Sequence, residues 1–270
     1  MSALLALLDV HGNGTTWVGP ASGPEGKRAF GGQFMGQSLA AAARTVAPQK
    51  QPTSMHLQFL RGGEAGDAVD YAVTEVFDGR TAAARRADAT QAGRLLTTAT
   101  VSFAAPMAGP EHGRRDAMPG DPEALPRSGP AGPAPSMPLG EIDIRLDDDL
   151  STGEFVRRLW WRVTVPVPDD ALLHTVIAAY VCDVYMIDPA LAVHGHSMAA
   201  RTHRSGTTDS SIWFHRRVHA DRWNLLETRS PAAARGRGVI TGSLIGSDGV
   251  IAATLAQEGL IAEREQPAAD

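Results

Sequence analysis

The spacing of apolar and polar residues in the first hundred positions predicts one helix followed by four strands. Apolar and small residues recur at helical spacing from Gln33 to Val46, after the pair Gly31-Gly32, which can open a helix. Four strand-like runs follow, bounded by Gly-containing turns such as Asp78-Gly79 and Ala92-Gly93. These runs are Ser54–Leu60, Ala68–Phe77, Arg80–Gln91 and Arg94–Ala104.

The same order of elements returns in the second half of the chain. Leu159–Val165 has strand character, and Pro168-Asp169-Asp170 is a helix-start signal before the apolar run Ala171–Met186. Ala82-Ala-Ala-Arg85 recurs as Ala232-Ala-Ala-Arg235, which suggests equivalent strands. The strands predicted after the second helix are Ser210–Arg216, Trp223–Arg229, Ala232–Ser247 and Val250–Ala262. A stretch containing Trp precedes each helix, namely Trp17 in one half and Trp160-Trp161 in the other. The pattern therefore predicts a duplicated α+β unit in which an antiparallel sheet wraps around a helix.

A stretch rich in proline and glycine separates the two halves. Residues 104–140 hold nine of the eighteen prolines, so they cannot keep a helix or a central strand. A connection of this length is unusual inside one compact unit. We therefore predict an N-terminal unit at 1–104, a linker at 105–140 and a C-terminal unit at 141–270.

Composition excludes several classes of protein. The 270 residues carry 25 basic and 30 acidic side chains, a net charge of -5, which argues against binding to nucleic acid through charge alone. The only cysteine is Cys182, so an internal disulfide framework is excluded. The apolar start Met1–Leu8 is cut short by Asp9 and lacks a basic region, unlike a signal peptide. We expect a cytoplasmic protein without a membrane-spanning helix or a membrane partner.

Several motifs follow one another along the chain. They are Arg28–Leu39 (RAFGGQFMGQSL), His56–Arg61 (HLQFLR), Asp78-Gly79 with Arg85-Arg86, Val167–His174, Tyr180–Asp183, Asp209–His215 (DSSIWFH) and Gln257–Gly259 (QEG). Taken in this order, they resemble the motifs of the acyl-CoA thioesterase II family. The resemblance implies a double hot-dog fold, in which two sheet-around-helix repeats form one continuous sheet. Two features depart from the family pattern: the linker is richer in Pro and Gly, and Ser210 replaces a His of the family motif.

The resemblance implies hydrolysis of fatty acyl-CoA by a water molecule that Asp183, Thr207 and Gln257 activate, with Thr208 as the alternative hydroxyl. Asp183 can accept a proton from water, whereas Thr207 and Gln257 can only position it by hydrogen bonds. The resemblance implies no metal and no cofactor, and we expect acyl-CoA as the substrate. It also implies that the first half is catalytically silent, since its helix lacks an acid, and that it shapes the acyl tunnel. Because each half leaves sheet edges, we expect a homo-oligomer.

Other patterns leave alternatives open. Gly195–Ala199 (GHSMA) resembles a nucleophile elbow, but a strand-turn-helix context is missing. Asp169 and His174 have the spacing of an enoyl-thioester hydratase pair, although Asp169-Asp170 also make good helix caps. A non-hydrolytic protein that binds acyl thioesters is a further alternative, because Ser210 lies beside the expected site. Histidines at 194, 196 and 203, or at 215 and 219, could bind a metal. The arginine pairs 85-86, 114-115 and 216-217 could meet the phosphates of coenzyme A.

Overall fold

A computed structural model describes residues 2–113, 117–128, 139–150 and 154–264 of the chain. The N-terminal half contains α1, α2 and β1 to β6, and the C-terminal half contains α3, α4 and β7 to β12. In chain order the elements of the first half are α1 (Ala3–Leu8), β1 (His11–Asn13), β2 (Thr16–Gly19), α2 (Gly31–Ala43), β3 (Gln51–Phe59), β4 (Val69–Asp78), β5 (Ala82–Gln91) and β6 (Arg94–Ala104). Those of the second are β7 (Ile142–Leu146), β8 (Val156–Val163), α3 (Ala171–Val181), α4 (Asp188–Ala192), β9 (His203–Phe214), β10 (Asn224–Ala234), β11 (Arg237–Ile245) and β12 (Ile251–Glu263).

All twelve strands form one antiparallel sheet, in the order β1-β2-β4-β5-β6-β3-β9-β12-β11-β10-β8-β7. The order of the second half mirrors that of the first, and the two halves meet where β3 pairs with β9. At this seam Met55 lies opposite Ile212, and the His56 ring contacts the Ser211 hydroxyl at 2.7 Å. The predicted double hot-dog architecture with one continuous sheet is therefore confirmed.

The two central helices lie antiparallel against each other and are held close by glycines. A Cβ added at Gly32 would overlap the Tyr180 carbonyl oxygen, and one added at Gly36 would lie 3.4 Å from that of Val176. On the sheet side, β5 offers α2 small buried residues, Ala83 and Ala87 among them. Small side chains on both partners let the backbones approach, so the N-terminus of α2 meets the C-terminus of α3.

A buried cluster of charges fixes the other end of α2. The Arg85 side chain is 1% exposed, and its guanidinium donates to Thr45 Oγ1, to the backbone oxygens of Thr45 and Phe77, and to Asp78. Lys50 also pairs with Asp78. A buried guanidinium is tolerated because nearly every donor has a partner. Arg85 therefore ties the end of α2 to the β4–β5 hairpin.

Some sequence predictions need correction. The second helix ends at Val181, five residues before the predicted end, and residues 182–187 form turns. The predicted strand Ala232–Ser247 is wrong, because Arg235 and Gly236 adopt positive φ values of 55° and 70° and form a hairpin turn. The Ala-Ala-Ala-Arg repeat consequently spans the end of β10 and this turn in one half and the start of β5 in the other. The predicted strand Ser210–Arg216 begins earlier, at His203.

The proposed division at 1–104, 105–140 and 141–270 stays a prediction. Within the predicted linker, residues 114–116 and 129–138 lie outside the described residues, and so does the whole pair Arg114-Arg115, a candidate phosphate site. No helix in the described ranges is both long and apolar enough to cross a membrane.

Candidate functional site

Asp183 lies just beyond the end of α3, where the chain turns away from the helix axis. Cys182 is the C-cap residue, and Tyr185 has a positive φ of 57° in the turn that follows. The Cys182 side chain is buried among apolar residues, whereas Asp183 stays partly exposed. The helix end therefore presents the carboxylate at the junction between the two halves. The sequence-based prediction that Asp183 lies inside the helix is wrong, because α3 ends at Val181, two residues earlier.

A β-bulge selects Thr207 over Thr208. In the β9–β12 pairing, Asp209 lies opposite Glu258 and Thr207 lies opposite Gly259, so Thr208 is the extra residue. Without the bulge, strict alternation would place Thr208 on the inner face with Ser210 and Ile212. Instead, the Thr208 hydroxyl donates to Glu258, and the Thr207 hydroxyl donates to Asp183 Oδ1 at 3.1 Å.

Gln257 completes a closed set of hydrogen bonds. Its side chain is buried on the inner face of β12, and Nε2 donates to Asp183 Oδ1 at 3.2 Å and to Thr207 Oγ1 at 2.7 Å. The structure thus brings all three predicted residues together from three separate elements. Both Thr207 and Gln257 donate to the same carboxylate oxygen, so Asp183 Oδ1 is saturated.

The N-terminus of α2, from the other half of the chain, approaches the second carboxylate oxygen. The Gly32 N–H donates a hydrogen bond to Asp183, and a Cβ added at Gly31 would overlap Asp183 Oδ2. The N-cap residue Phe30 makes no side-chain capping bond, so the first turn of α2 is open toward the carboxylate. Glycine is required at position 31 because any side chain would occupy the space beside Oδ2.

The pKa of Asp183 is raised to about 6, chiefly because burial disfavours the charged form. The hydrogen bonds from Thr207, Gln257 and the Gly32 N–H oppose this shift, as does the positive charge of Arg28. The carboxylate is therefore mostly ionised at pH 7, yet more basic than an ordinary aspartate. A carboxylate with a pKa near the working pH is suited to accept and return a proton.

Asp183 and Thr207 line a cavity of about 620 Å³ between the two halves. Its inner wall is apolar and includes Phe34, Phe59, Met186 and Ile187. The exposed rim is formed by Pro24, Lys27, Arg28, Arg61 and Gly62 of the first half and by residues 197–199 of the second. The cavity can thus hold a ligand with an apolar end inside and a polar end outside.

The residues of the competing motifs lie in other settings. Ser197 caps a short 3₁₀ helix, and no strand leads into it, so Gly195–Ala199 is not a nucleophile elbow although it borders the cavity. Asp170 caps α3 by accepting from the N–H groups of Leu172 and Leu173, which confirms the capping interpretation. Its neighbour Asp169 pairs with Arg217, and His174 is buried with Nδ1 accepting from the Ala220 N–H.

The candidate metal-binding histidines lie outside the cavity that Asp183 lines. His194, His196 and His203 border a different pocket, at the β10–β11 hairpin, and the part of the chain that the structure describes contains no group of three His, Cys, Asp or Glu arranged around a common point. His215 contacts Thr254, and the His219 ring packs 6.0 Å from that of His174. Ser210 is buried opposite Gln257, and its hydroxyl has no hydrogen-bond partner among the described residues.

The two arginine pairs within the described residues, 85-86 and 216-217, do not line the cavity. Arg85 belongs to the buried cluster at the end of α2. Arg86 pairs with Asp88, Arg216 pairs with Glu111, and Arg217 pairs with Asp169. Sequence reasoning did not single out Gly31 and Gly32, since it assigned the first half only the shaping of the acyl tunnel. The signal was available, because two adjacent glycines at a helix start indicate close approach of another group.

Comparison with known proteins supports the resemblance to acyl-CoA thioesterases that the sequence motifs indicated. Residues 20–104 match the family described as the acyl-CoA thioesterase N-terminal domain, and residues 106–261 match its C-terminal domain. Mouse acyl-coenzyme A thioesterase 8 is 30% identical over 270 aligned residues, covering 90% of this chain and 83% of the mouse protein. Acyl-CoA thioesterase 2 of Haemophilus influenzae is 29% identical, and the alignment covers 87% of this chain and 88% of the Haemophilus protein.

The overall fold of the chain also matches that of a solved structure. The acyl-CoA thioesterase II TesB2 from Mycobacterium marinum superposes with a TM-score of 0.83 at 30% identity, covering 99% of this chain and 100% of that one. Together with the two domain matches and the order of the sequence motifs, this similarity establishes that the chain belongs to the acyl-CoA thioesterase family.

Proposed function

We propose that the protein hydrolyses fatty acyl-CoA thioesters to free fatty acid and coenzyme A through a water molecule activated by Asp183, with Thr207 and Gln257 as positioning partners. The observation that carries the proposal is the asymmetric bonding of the Asp183 carboxylate. Oδ1 accepts from both Thr207 and Gln257, which leaves Oδ2, beside Gly31 at the cavity, as the oxygen that can take a proton. The carboxylate is thus fixed in orientation before any substrate binds.

The reaction needs only these groups and water. The water oxygen attacks the thioester carbonyl carbon while one of its protons passes to Asp183 Oδ2. The tetrahedral intermediate then collapses, the carbon–sulfur bond breaks, and Asp183 returns the proton to the departing sulfur. The products are a carboxylic acid and the coenzyme A thiol, and the carboxylate is restored.

We assign stabilisation of the intermediate to the first turn of α2. The Gly32 N–H is used by Asp183, while Phe30 provides no side-chain cap, so the Gly31 N–H is the donor that we propose for the oxyanion. The helix dipole also favours negative charge at this point. The apolar wall of Phe34, Phe59, Met186 and Ile187 would receive the acyl chain.

A thiol-release assay tests this function against its alternatives. Acyl-CoAs of increasing chain length are mixed with the protein, and free thiol is measured over time. We expect release with at least one chain length. Binding without release from any acyl-CoA would overturn hydrolysis in favour of an acyl-thioester binding protein, and an absorbance change with enoyl-CoA but no thiol would indicate a hydratase.

We also propose a cytoplasmic homo-oligomer. The only cysteine is buried and unpaired, as suits a compartment that does not use disulfides. The outer face of the sheet exposes large apolar side chains, including Phe77 and Trp213, at 56% and 46%. Light scattering of the purified protein at several concentrations measures the oligomeric state, and a monomer at all concentrations would contradict this proposal.

A further inference from the structure

The rim of the cavity carries three cations, Lys27, Arg28 and Arg61, which we call the cationic rim. We propose that the cationic rim binds the phosphate of a phosphorylated pantetheine thioester, with Lys27 and Arg61 as its phosphate ligands. This inference rests on the proposed hydrolysis of acyl thioesters and deepens it, because it assigns recognition of the polar end of the substrate to the first half of the chain.

A backbone bridge holds the rim in place. The Ala29 N–H donates to the Gly63 carbonyl at 2.8 Å, and the Ala65 N–H donates to the Lys27 carbonyl at 2.7 Å. The two segments therefore run side by side at the start of α2. Arg61 is fixed further by a bond of 2.9 Å from its guanidinium to the Leu95 carbonyl. The rim is a supported platform, which reduces the entropy that its side chains lose when a ligand binds.

The charges of the rim are uncompensated, unlike those of other cations near the cavity. Arg157 also lines the cavity, but it pairs with Asp148 and Asp188 at 2.8 and 2.7 Å. Within residues 2–113, 117–128, 139–150 and 154–264, none of the three rim cations has a carboxylate at ion-pair distance, not even the neighbouring Glu64. On a chain with a net charge of -5, such a concentration of positive charge favours an anionic ligand at this point.

The rim lies on the exposed side of the same cavity that Asp183 lines. A thioester carbon at Asp183 would direct its acyl chain to the apolar wall and its sulfur toward the exposed rim. An extended pantetheine arm spans on the order of 15 Å, so its phosphate lies well outside the reacting centre. Arg28 is the exception, because its charge acts on Asp183 and its guanidinium approaches Gly206. Only Lys27 and Arg61 can therefore be substituted without touching the chemistry.

Substrates of matched acyl chain and decreasing charge test the inference. The same acyl group is presented on coenzyme A, on 4′-phosphopantetheine and on pantetheine, which carries no phosphate. The variants are Lys27→Gln, Arg61→Gln and the double substitution. Arg80→Gln is the control, since Arg80 is an exposed arginine at the β4–β5 turn, at the opposite end of these strands from the rim.

We expect each single variant to raise KM for acyl-CoA about threefold to thirtyfold, the range of partly exposed contacts between a cation and a phosphate, with kcat within about twofold. Hydrolysis of acyl-pantetheine should not change, and Arg80→Gln should match the wild type. An effect on phosphopantetheine equal to that on coenzyme A would support recognition of the shared phosphate, as found also on carrier proteins. An effect on coenzyme A alone would support the rim and identify the nucleotide-bearing substrate as its ligand.

Two results would overturn the proposal. Equal losses on acyl-pantetheine and acyl-CoA would mean that the substitutions disturb the site rather than remove a phosphate ligand, and unchanged KM for all substrates would mean that the rim binds nothing. Failure of the wild type to release thiol would overturn the proposed function instead. Calorimetric titration with coenzyme A, comparing the wild type with the double variant, still tests the rim in that case.

Discussion

At each end of the α2–α3 helix pair, the N-terminus of one helix lies beside the C-terminus of the other, but the two ends differ in capping and in surroundings. At one end, the N-terminus of α2 lacks a side-chain cap, and Asp183 follows the end of α3. At the other end, α3 begins with its own cap, Asp170, and the residue that follows the C-cap of α2 is Thr45. The first end has no side-chain cap and borders the cavity, whereas at the second Thr45 is bound by buried Arg85.

This difference shows how a duplicated fold can keep a single site. A helix N-terminus whose N–H groups are satisfied by its own cap has little left for a ligand, and one without a cap can serve a carboxylate or an oxyanion. Under the proposed mechanism, the half that lacks the acid contributes Gly31 and Gly32 to the site, which is more than the tunnel-shaping role predicted for it from the sequence.

The largest predicted effect on kcat comes from a substitution at one helix end, compared with a control substitution at the other. Asp183→Asn should lower kcat by about 100-fold or more while the protein stays folded, because the neutral amide cannot accept a proton from water. Asp170→Ala at the opposite end should instead lower the free energy of unfolding by about 1 kcal/mol through loss of the cap and leave kcat nearly unchanged. Thiol release and thermal unfolding measure the two variants, and a fully active, folded Asp183→Asn enzyme would refute the assignment of the base.

The next effect concerns the glycines of α2. Gly31→Ala should lower kcat about 10-fold to 100-fold, because the added methyl group displaces Asp183 Oδ2. Gly36→Ala is the matched control on the same helix, since its methyl group meets Leu8 Cδ2 at 2.6 Å, far from the carboxylate. We expect that control to cost stability and little activity. Similar kinetic losses in both variants would show that α2 acts only through packing.

The threonine pair gives a smaller contrast. Thr207→Ala should lower kcat about 10-fold, because Asp183 loses a hydrogen bond and Gln257 loses its acceptor. Thr208→Ala removes a hydroxyl that bonds Glu258, and we expect kcat within about twofold of the wild type. Steady-state kinetics with one acyl-CoA measure kcat for both variants. If Thr208→Ala proved the more damaging change, the bulge would not set the site as we describe.

The smallest effect is the dependence on pH. If ionised Asp183 is the base, as we propose, its pKa of about 6 means that kcat/KM should fall about tenfold per pH unit below pH 6 and level off above pH 7. The same raised pKa means that the folded state binds a proton more tightly than the unfolded state, so ionised Asp183 destabilises the fold at pH 7 and less so at pH 5. The stability of Asp183→Asn relative to the wild type should thus be about 1 kcal/mol greater at pH 7 than at pH 5. Denaturant titrations at both pH values measure it, and no change between them would contradict the shift.

The sequence predicted the repeated order of elements because strand alternation and glycine turns are local signals. The family motif indicated Thr207 with Thr208 as the alternative, but no local pattern could exclude Thr208, since a β-bulge depends on how β9 pairs with a strand fifty residues away. The sequence also placed Asp183 inside a helix, because an apolar run does not mark where the backbone leaves helical geometry. The contact between Gly31 and Asp183 crosses the two halves, so no local pattern contains it.

The seam between β3 and β9 has a consequence for biosynthesis. Met55 and Ile212 meet there although more than 150 residues separate them, so the N-terminal half is synthesised long before its partner strand leaves the ribosome. Until then the edge of β3 that pairs with β9 over residues 54–58 presents unpaired backbone groups, which other chains can capture. The yield of native protein should therefore depend on the rate of translation and on chaperones that shield this strand.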